Sequence, residues 1–207
     1  MKQLAPIAAL AAALAFSTSA QAEGLYAGLG YAAVDPKSDT GLIAGGSSSV
    51  DTDESLNAII GYRFGENDAF AIEVTGAVAD YEHVLTIDGV GPAAAVEHRP
   101  ITANFLYRFG EGEFRPYVGG GYSVVDVSVT GIGALTGAPL TADNADGFTV
   151  TGGIDWQVTD HLFLRADARY IDWSSDVFLV DPVAGPANVG TADVNPIVYG
   201  LAVGLNF

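Results

Sequence analysis

Eight ionisable side chains carry the chemistry this sequence has to offer: Arg63, Glu73, Arg108, Arg115, Asp155, Arg165, Asp167 and Arg169. Each lies in a stretch where small or polar residues alternate with large apolar ones, so that side chains two apart share a face. Arg165, Asp167 and Arg169 are spaced this way within one stretch. Guanidinium and carboxylate groups gathered out of water form charge-assisted, often bidentate hydrogen bonds that satisfy both partners. The expected chemistry is a mutually neutralised network and not acid–base catalysis, because pairing already accounts for the carboxylates.

Other chemistries have thinner support. A nucleophile needs a base within reach, and the sequence places no serine beside His83, His98 or His161. The chain has no cysteine, which removes disulfides and thiolate metal sites. Three scattered histidines do not make a metal centre. No enzyme activity and no cofactor are expected.

The elements that must hold these groups follow from composition and pattern. The 207 residues are 49% hydrophobic and only 16% charged, with 26 glycines and a formal net charge of −17. That apolar content excludes disorder. Eight Lys+Arg against 25 Asp+Glu make a field that repels phosphate, so no nucleic acid is expected as a partner.

Residues 1–22 read as a secretory signal: Lys2 in the n-region, an apolar run from Leu4 to Phe16, and Ala20, Gln21, Ala22 as the cleavage site. The mature chain then starts at Glu23. Removing Lys2 leaves seven basic residues against 25 acidic ones, a net charge of −18. No later run reaches the ~20 apolar residues that a spanning helix needs.

Residues 23–207 form one domain of eight alternating stretches, about 24–34, 54–64, 69–79, 97–109, 114–129, 146–158, 161–173 and 194–207. In the last, Ile197, Tyr199, Leu201, Val203, Leu205 and Phe207 share one face, and smaller or polar residues share the other. The apolar faces end in rings: Tyr62, Phe64, Tyr107, Phe109, Trp156 and Phe207 reach one common level. Apolar outside, polar inside and aromatic at the interface is the pattern of a barrel in lipid. Connections agree, since short ones (65–68, 110–113, 159–160) alternate with long ones (35–53, 80–96, 130–145, 174–193). The fold expected is an all-β, eight-stranded antiparallel transmembrane barrel with short periplasmic turns and long extracellular loops. On this register the eight charged residues face the lumen and plug its lower part.

Five segments in order resemble the outer-membrane protein W family: GYAAVDPKSDTG at 30–41, EHRPI at 97–101 followed by FLYRF at 105–109, RPYVGGGY at 115–122, FLRADARYIDW at 163–173, and VNPIVY at 194–199 with the terminal Phe207. The family's His-x-Pro-Pro-Thr stretch reads here His98, Arg99, Pro100, Ile101, Thr102, with one proline missing. The resemblance implies a Gram-negative outer-membrane channel that takes up small hydrophobic molecules and opens sideways into the membrane. It also implies outer-membrane lipid and lipopolysaccharide as surroundings. The barrel-assembly machinery would be engaged through the C-terminal strand ending in Phe207.

Continuing the inward register upward gives an apolar cup of Val34, Ala77, Val125, Val127, Ile171, Trp173 and Val198, a fitting site for a hydrophobic solute. Gly28, Gly30, Gly119, Gly121, Gly200 and Gly204 also point inward and leave space. The alternative is that the cup residues pack against one another or against folded-in loops. Pro100 and Pro196 interrupt strand patterns near the outer end. A proline removes a ladder donor, so either marks a gap in the wall that serves as a lateral opening, or simply a strand that starts after it. The function class set against a solute channel is a sealed structural barrel whose acidic loops contact lipopolysaccharide, other surfaces or phage.

Overall fold

The computed structural model describes residues 23–37, 39–181 and 183–207. The expected signal segment 1–22 lies outside the described residues. Eight strands close the barrel: β1 (Leu25–Asp35), β4 (Asp53–Phe64), β5 (Phe70–Ala77), β7 (Gly91–Arg108), β8 (Phe114–Gly131), β10 (Ala145–Gln157), β11 (Leu162–Ile171) and β14 (Ile197–Asn206). Each pairs antiparallel with the next in this order, and β14 returns to β1 from Tyr26–Asn206 to Asp35–Ile197. Closure matters because a lipid-facing sheet edge would leave N–H and C=O groups unpaired in hydrocarbon.

The faces follow the alternation. Leu201, on the outward side of β14, is 68% exposed, whereas Arg165 and Asp155 face inward and are buried. On β7 and β8 the outward apolar run ends at Ile101 and Val124, above which Glu97, Arg99 and Asp126 take the outward positions. Rings belt both ends of the apolar band. Near the short turns, Phe70 contacts Phe64, Phe105 and Tyr107 with centroids 5.5–5.8 Å apart, and Phe114 stacks on Trp156 at 5.6 Å. At the outer level the Tyr31 hydroxyl donates to Glu54 Oε2 at 2.6 Å, and Tyr122 donates to Asp146. Such residues keep the ring in lipid and the polar tip in water.

The long connections depart from the expectation of loops. They fold into six further strands: β2 (Gly41–Ile43), β3 (Gly46–Val50), β6 (Tyr81–Ile87), β9 (Leu140–Ala142), β12 (Ser174–Asp181) and β13 (Gly185–Asp193). These run β7-β6-β3-β2-β13-β12-β9 around the top of the barrel, forming an extracellular collar. A stretch of this length without its own secondary structure would leave many backbone groups unpaired, which disfavours it in a compact domain. The β2–β3 hairpin turns on Ala44 and Gly45, both with positive φ, the two-residue turn whose twist suits antiparallel strands.

Candidate functional site

The charged floor is centred on Asp155, which is fully buried. Its cross-strand neighbours are Arg165 on β11 and Arg115 on β8. Arg165 donates from Nε to Asp155 Oδ1 at 2.7 Å and from Nη2 to Oδ2 at 3.2 Å, a bidentate pair. Arg108 and Arg63 reach the same Oδ2 across the lumen at 3.2 and 3.5 Å. Arg165 also bridges to Glu73, whose Oε2 accepts a hydrogen bond from the Tyr26 hydroxyl at 2.6 Å. All five charged residues are buried. Such groups are tolerable out of water only when neutralised and hydrogen-bonded together.

Three guanidiniums meet two carboxylates here, and the surplus positive charge is met by rings. Arg63 lies 4.3 Å over the Tyr26 ring and 5.0 Å over Phe163, and Arg165 lies 4.8 Å over Tyr117. Arg63 Nη1 further donates to Asn206 Oδ1 at 2.5 Å. The ring quadrupole attracts a desolvated cation. Sequence reasoning missed these three aromatics. Their signal was present: Tyr117 shares the parity of Arg115, and Phe163 that of Arg165. Each ring covers a glycine on a neighbouring strand. A Cβ at Gly61 would stand 2.3 Å from Tyr26, and one at Gly204 would stand 2.2 Å from Phe163. The space expected at Gly204 is thus occupied by a ring, and that at Gly119 by Leu106.

Of the eight expected plug residues, five form this network and three stand apart. Arg115 turns to the Asn67 main-chain oxygen at the periplasmic mouth. Arg115, Arg63 and Arg108 line a vestibule that opens below the plug. Asp167 and Arg169 are half-buried, and neither makes an ion pair within 4 Å among the described residues. They border a small cavity with Asn57, Thr75 and Gly200, one layer above the floor. Strand parity put them on the correct face; their height along the barrel axis removed them from the network.

The seven cup residues are all buried in one apolar cluster above this layer. Val34, Val125 and Ile171 are at most 2% exposed, so this layer is densely packed. The free space lies one storey higher. Val127 and Trp173 line a crevice together with Val50, Leu85, Val96, Val129 and Val177, which come largely from the collar. The space inside it is narrow, about 30 Å³, room for roughly one water-sized group.

Two histidines lie in that wall, His83 on β6 and His98 on β7, above the lipid-facing band. Their rings are parallel within 2°, with Nε2 atoms 2.9 Å apart. His83 Nδ1 is 2.6 Å from the Asp51 main-chain oxygen. Burial pushes both imidazoles below the ordinary histidine range, His98 to about 3 with His83 beside it adding to the effect. Both are therefore neutral at physiological pH.

The two prolines differ. Pro196 precedes β14, which starts at Ile197, so it interrupts no strand. Pro100 lies inside β7, where the strand changes partners. Pairing with β5 ends at Gly76–Ile101, and pairing with β6 begins at Tyr81–His98. Between them Arg99 and Pro100 pair only with β8. The missing donor thus falls in a stretch within β7 that has a neighbour on a single side. Across this interruption Arg99 Nη2 meets Asp80 Oδ1 at 2.7 Å.

Comparison with known proteins agrees with this architecture. Residues 7–207 match the family model described as the outer membrane protein beta-barrel domain. The chain is 28% identical to outer membrane protein W of Vibrio cholerae, over 99% of this chain and 97% of that protein. Among solved structures it resembles the outer membrane protein OprG from Pseudomonas aeruginosa, with TM-score 0.76, 22% identity, and 89% and 96% of the two chains covered. It also resembles the E. coli outer membrane protein W, with TM-score 0.61, 23% identity, and 90% and 98% covered. A closed eight-stranded barrel with a lipid-facing apolar band and a near full-length family match make one conclusion: the chain belongs to the outer membrane protein beta-barrel family and is an outer-membrane barrel of the protein W type.

Proposed function

We propose that this barrel admits small hydrophobic molecules from outside through the collar crevice, holds them above the charged floor and releases them sideways into the outer membrane. The observation that carries this reading is the order of layers along the axis: an apolar crevice at the top, an apolar cluster beneath it and a buried ion network below. An apolar solute gains by leaving water for the first two and meets a floor it cannot solvate. β7 loses its partner on one side at Arg99 and Pro100, near the outer edge of the apolar band, which makes this gap the natural side exit.

Uptake of the apolar dye N-phenyl-1-naphthylamine by cells expressing the barrel tests this. Ala142→Phe, which fills the crevice from β9, is expected to slow uptake severalfold in a barrel that still folds, overpacking costing about 1–3 kcal/mol. A wild-type rate equal to that of cells with an empty vector would leave the sealed structural barrel as the better reading.

The exit has its own test. The Arg99–Asp80 pair is about a quarter exposed on each side, so solvent screening limits its strength. Arg99→Ala should speed dye entry about 1.5- to 5-fold, the effect of removing an ion pair of this kind. An unchanged rate would place the exit elsewhere in the wall.

A further inference from the structure

The underside of the floor carries more positive charge than its carboxylates neutralise. Four guanidiniums, those of Arg63, Arg108, Arg115 and Arg165, stand against the two buried carboxylates of Asp155 and Glu73. Rings cover Arg63 and Arg165, but neither Arg108 nor Arg115 has one among the described residues. Arg115 also has no carboxylate within 4 Å among them. It uses one of its five N–H donors, on a neutral main-chain oxygen, that of Asn67. Its Nη1 makes no hydrogen bond among the described residues and is open to solvent.

These groups converge on a space that admits a ligand. Arg63, Arg108 and Arg115 line the periplasmic vestibule, whose volume of about 330 Å³ is that of a small-molecule site. Half-buried Arg115 presents the free donor, while Arg63 and Arg108, 6% and 4% exposed, contribute mainly charge. One short turn holds two of the three: the Asn67 carbonyl accepts from Arg115, and the Asp68 carbonyl accepts from Arg108 Nη1 at 3.3 Å. The Nε atoms of all three arginines lack a partner. They have no solvent contact, so they mark a shortage of acceptors around the cluster and not a point of contact. Exposed Glu23, Asp68 and Asp160 line the same space, and none is within 4 Å of a guanidinium nitrogen. Water and salt screen such carboxylates, whereas a walled cleft focuses the field of cations set in its floor.

We propose that the vestibule is an oxyanion site for a phosphate group, bound by Arg115 and held by the charge of Arg63 and Arg108. The planar guanidinium fork fits the oxygens of a phosphate better than it fits a spherical anion. The phosphate has two sources at this mouth: the free inorganic ion in the periplasm, and the headgroup of a phospholipid in the adjoining leaflet. The site is independent of the uptake reading, which concerns the opposite end of the lumen.

The test titrates inorganic phosphate into the full barrel refolded in phosphatidylcholine nanodiscs, replacing chloride at constant ionic strength. Nitrogen-15 spectra of the arginine side chains report binding. The Arg115 and Arg108 resonances should move saturably with phosphate and stay in place when chloride alone is varied. Arg115→Gln, read at Arg108, should weaken phosphate about tenfold, the worth of a charge-assisted hydrogen bond to a phosphate. Arg115 has no ion pair to lose, and heat-modifiable gel mobility checks that the variant folds. Asp68→Asn, on an exposed turn, should act in the opposite sense and tighten phosphate about 1.5- to 5-fold by removing a nearby like charge. Nanodiscs with phosphatidic acid mixed in separate the two sources. If the headgroup is the ligand, the Arg115 resonances start displaced and added phosphate binds more weakly; if the free ion is, neither changes. The proposal fails if no saturable shift appears in either disc, if chloride produces the same shift, or if the affinity is unchanged by both Arg115→Gln and Asp68→Asn.

Discussion

Asp155→Ala should destabilise the refolded barrel by about 3–5 kcal/mol, the usual cost of removing one partner of a buried ion pair. Asp155 accepts hydrogen bonds from Arg63, Arg108 and Arg165. Its loss leaves three buried guanidiniums around the single carboxylate of Glu73. The cation–π contacts to Tyr26, Tyr117 and Phe163 would persist, but they are individually weaker than a desolvated ion pair. Urea unfolding in lipid vesicles, followed by the gel-mobility difference between folded and unfolded barrel, measures the loss. Asp155→Asn keeps the volume and part of the hydrogen bonding, so it should fall between alanine and wild type. Asp167→Ala provides the contrast. With no ion partner within 4 Å it should cost about 1 kcal/mol, the central value for ordinary substitutions. Equal losses at 155 and 167 would mean that the network extends a layer higher than the geometry places it. Planar-bilayer recordings give a second readout, since water replacing the Asp155 hub should raise ion leak through the floor.

Leu201→Arg is the corresponding change on the outside of the wall. Leu201 stands midway along β14, pairs with Tyr31 of β1 and Ala166 of β11, and is 68% exposed on the outward face. If that exposure is to hydrocarbon, a guanidinium there costs about 2–4 kcal/mol at the bilayer midplane and much less near either interface. The loss should therefore shrink when arginine is placed instead at Leu205, four residues nearer the periplasmic girdle. The same unfolding assay compares the two. A negligible loss at Leu201 would mean that this position does not face the midplane.

The sequence by itself determined the wall. Side chains two apart on an extended chain share a face whatever the rest of the fold does. Alternation therefore set Leu201 outward and Arg63, Asp155 and Arg165 inward, and the contrast of short and long connections set the direction of the strands. The inward apolar set also emerged from parity alone: Val34, Val125, Ile171 and Val198 do share a buried cluster.

Tertiary structure decided which inward residues meet. Arg63 and Arg108 reach Asp155 from strands distant in the chain, and that depends on the stagger of all eight strands, which no local pattern encodes. Stagger also explains why Arg115 ends on the Asn67 carbonyl and why Asp167 and Arg169 sit above the floor. The collar was hidden for a related reason. Its hairpins are held together by pairings between different loops, as where Gly190 of β13 meets Ile43 of β2 and Ser48 of β3 meets Ile87 of β6. The free space at the top of the lumen, and the histidine pair in its wall, exist only because those loops pair with one another. Local alternation fixes a face because it is a property of the covalent chain. Contact across a lumen is a property of register between strands far apart in sequence, and only the closed barrel sets it.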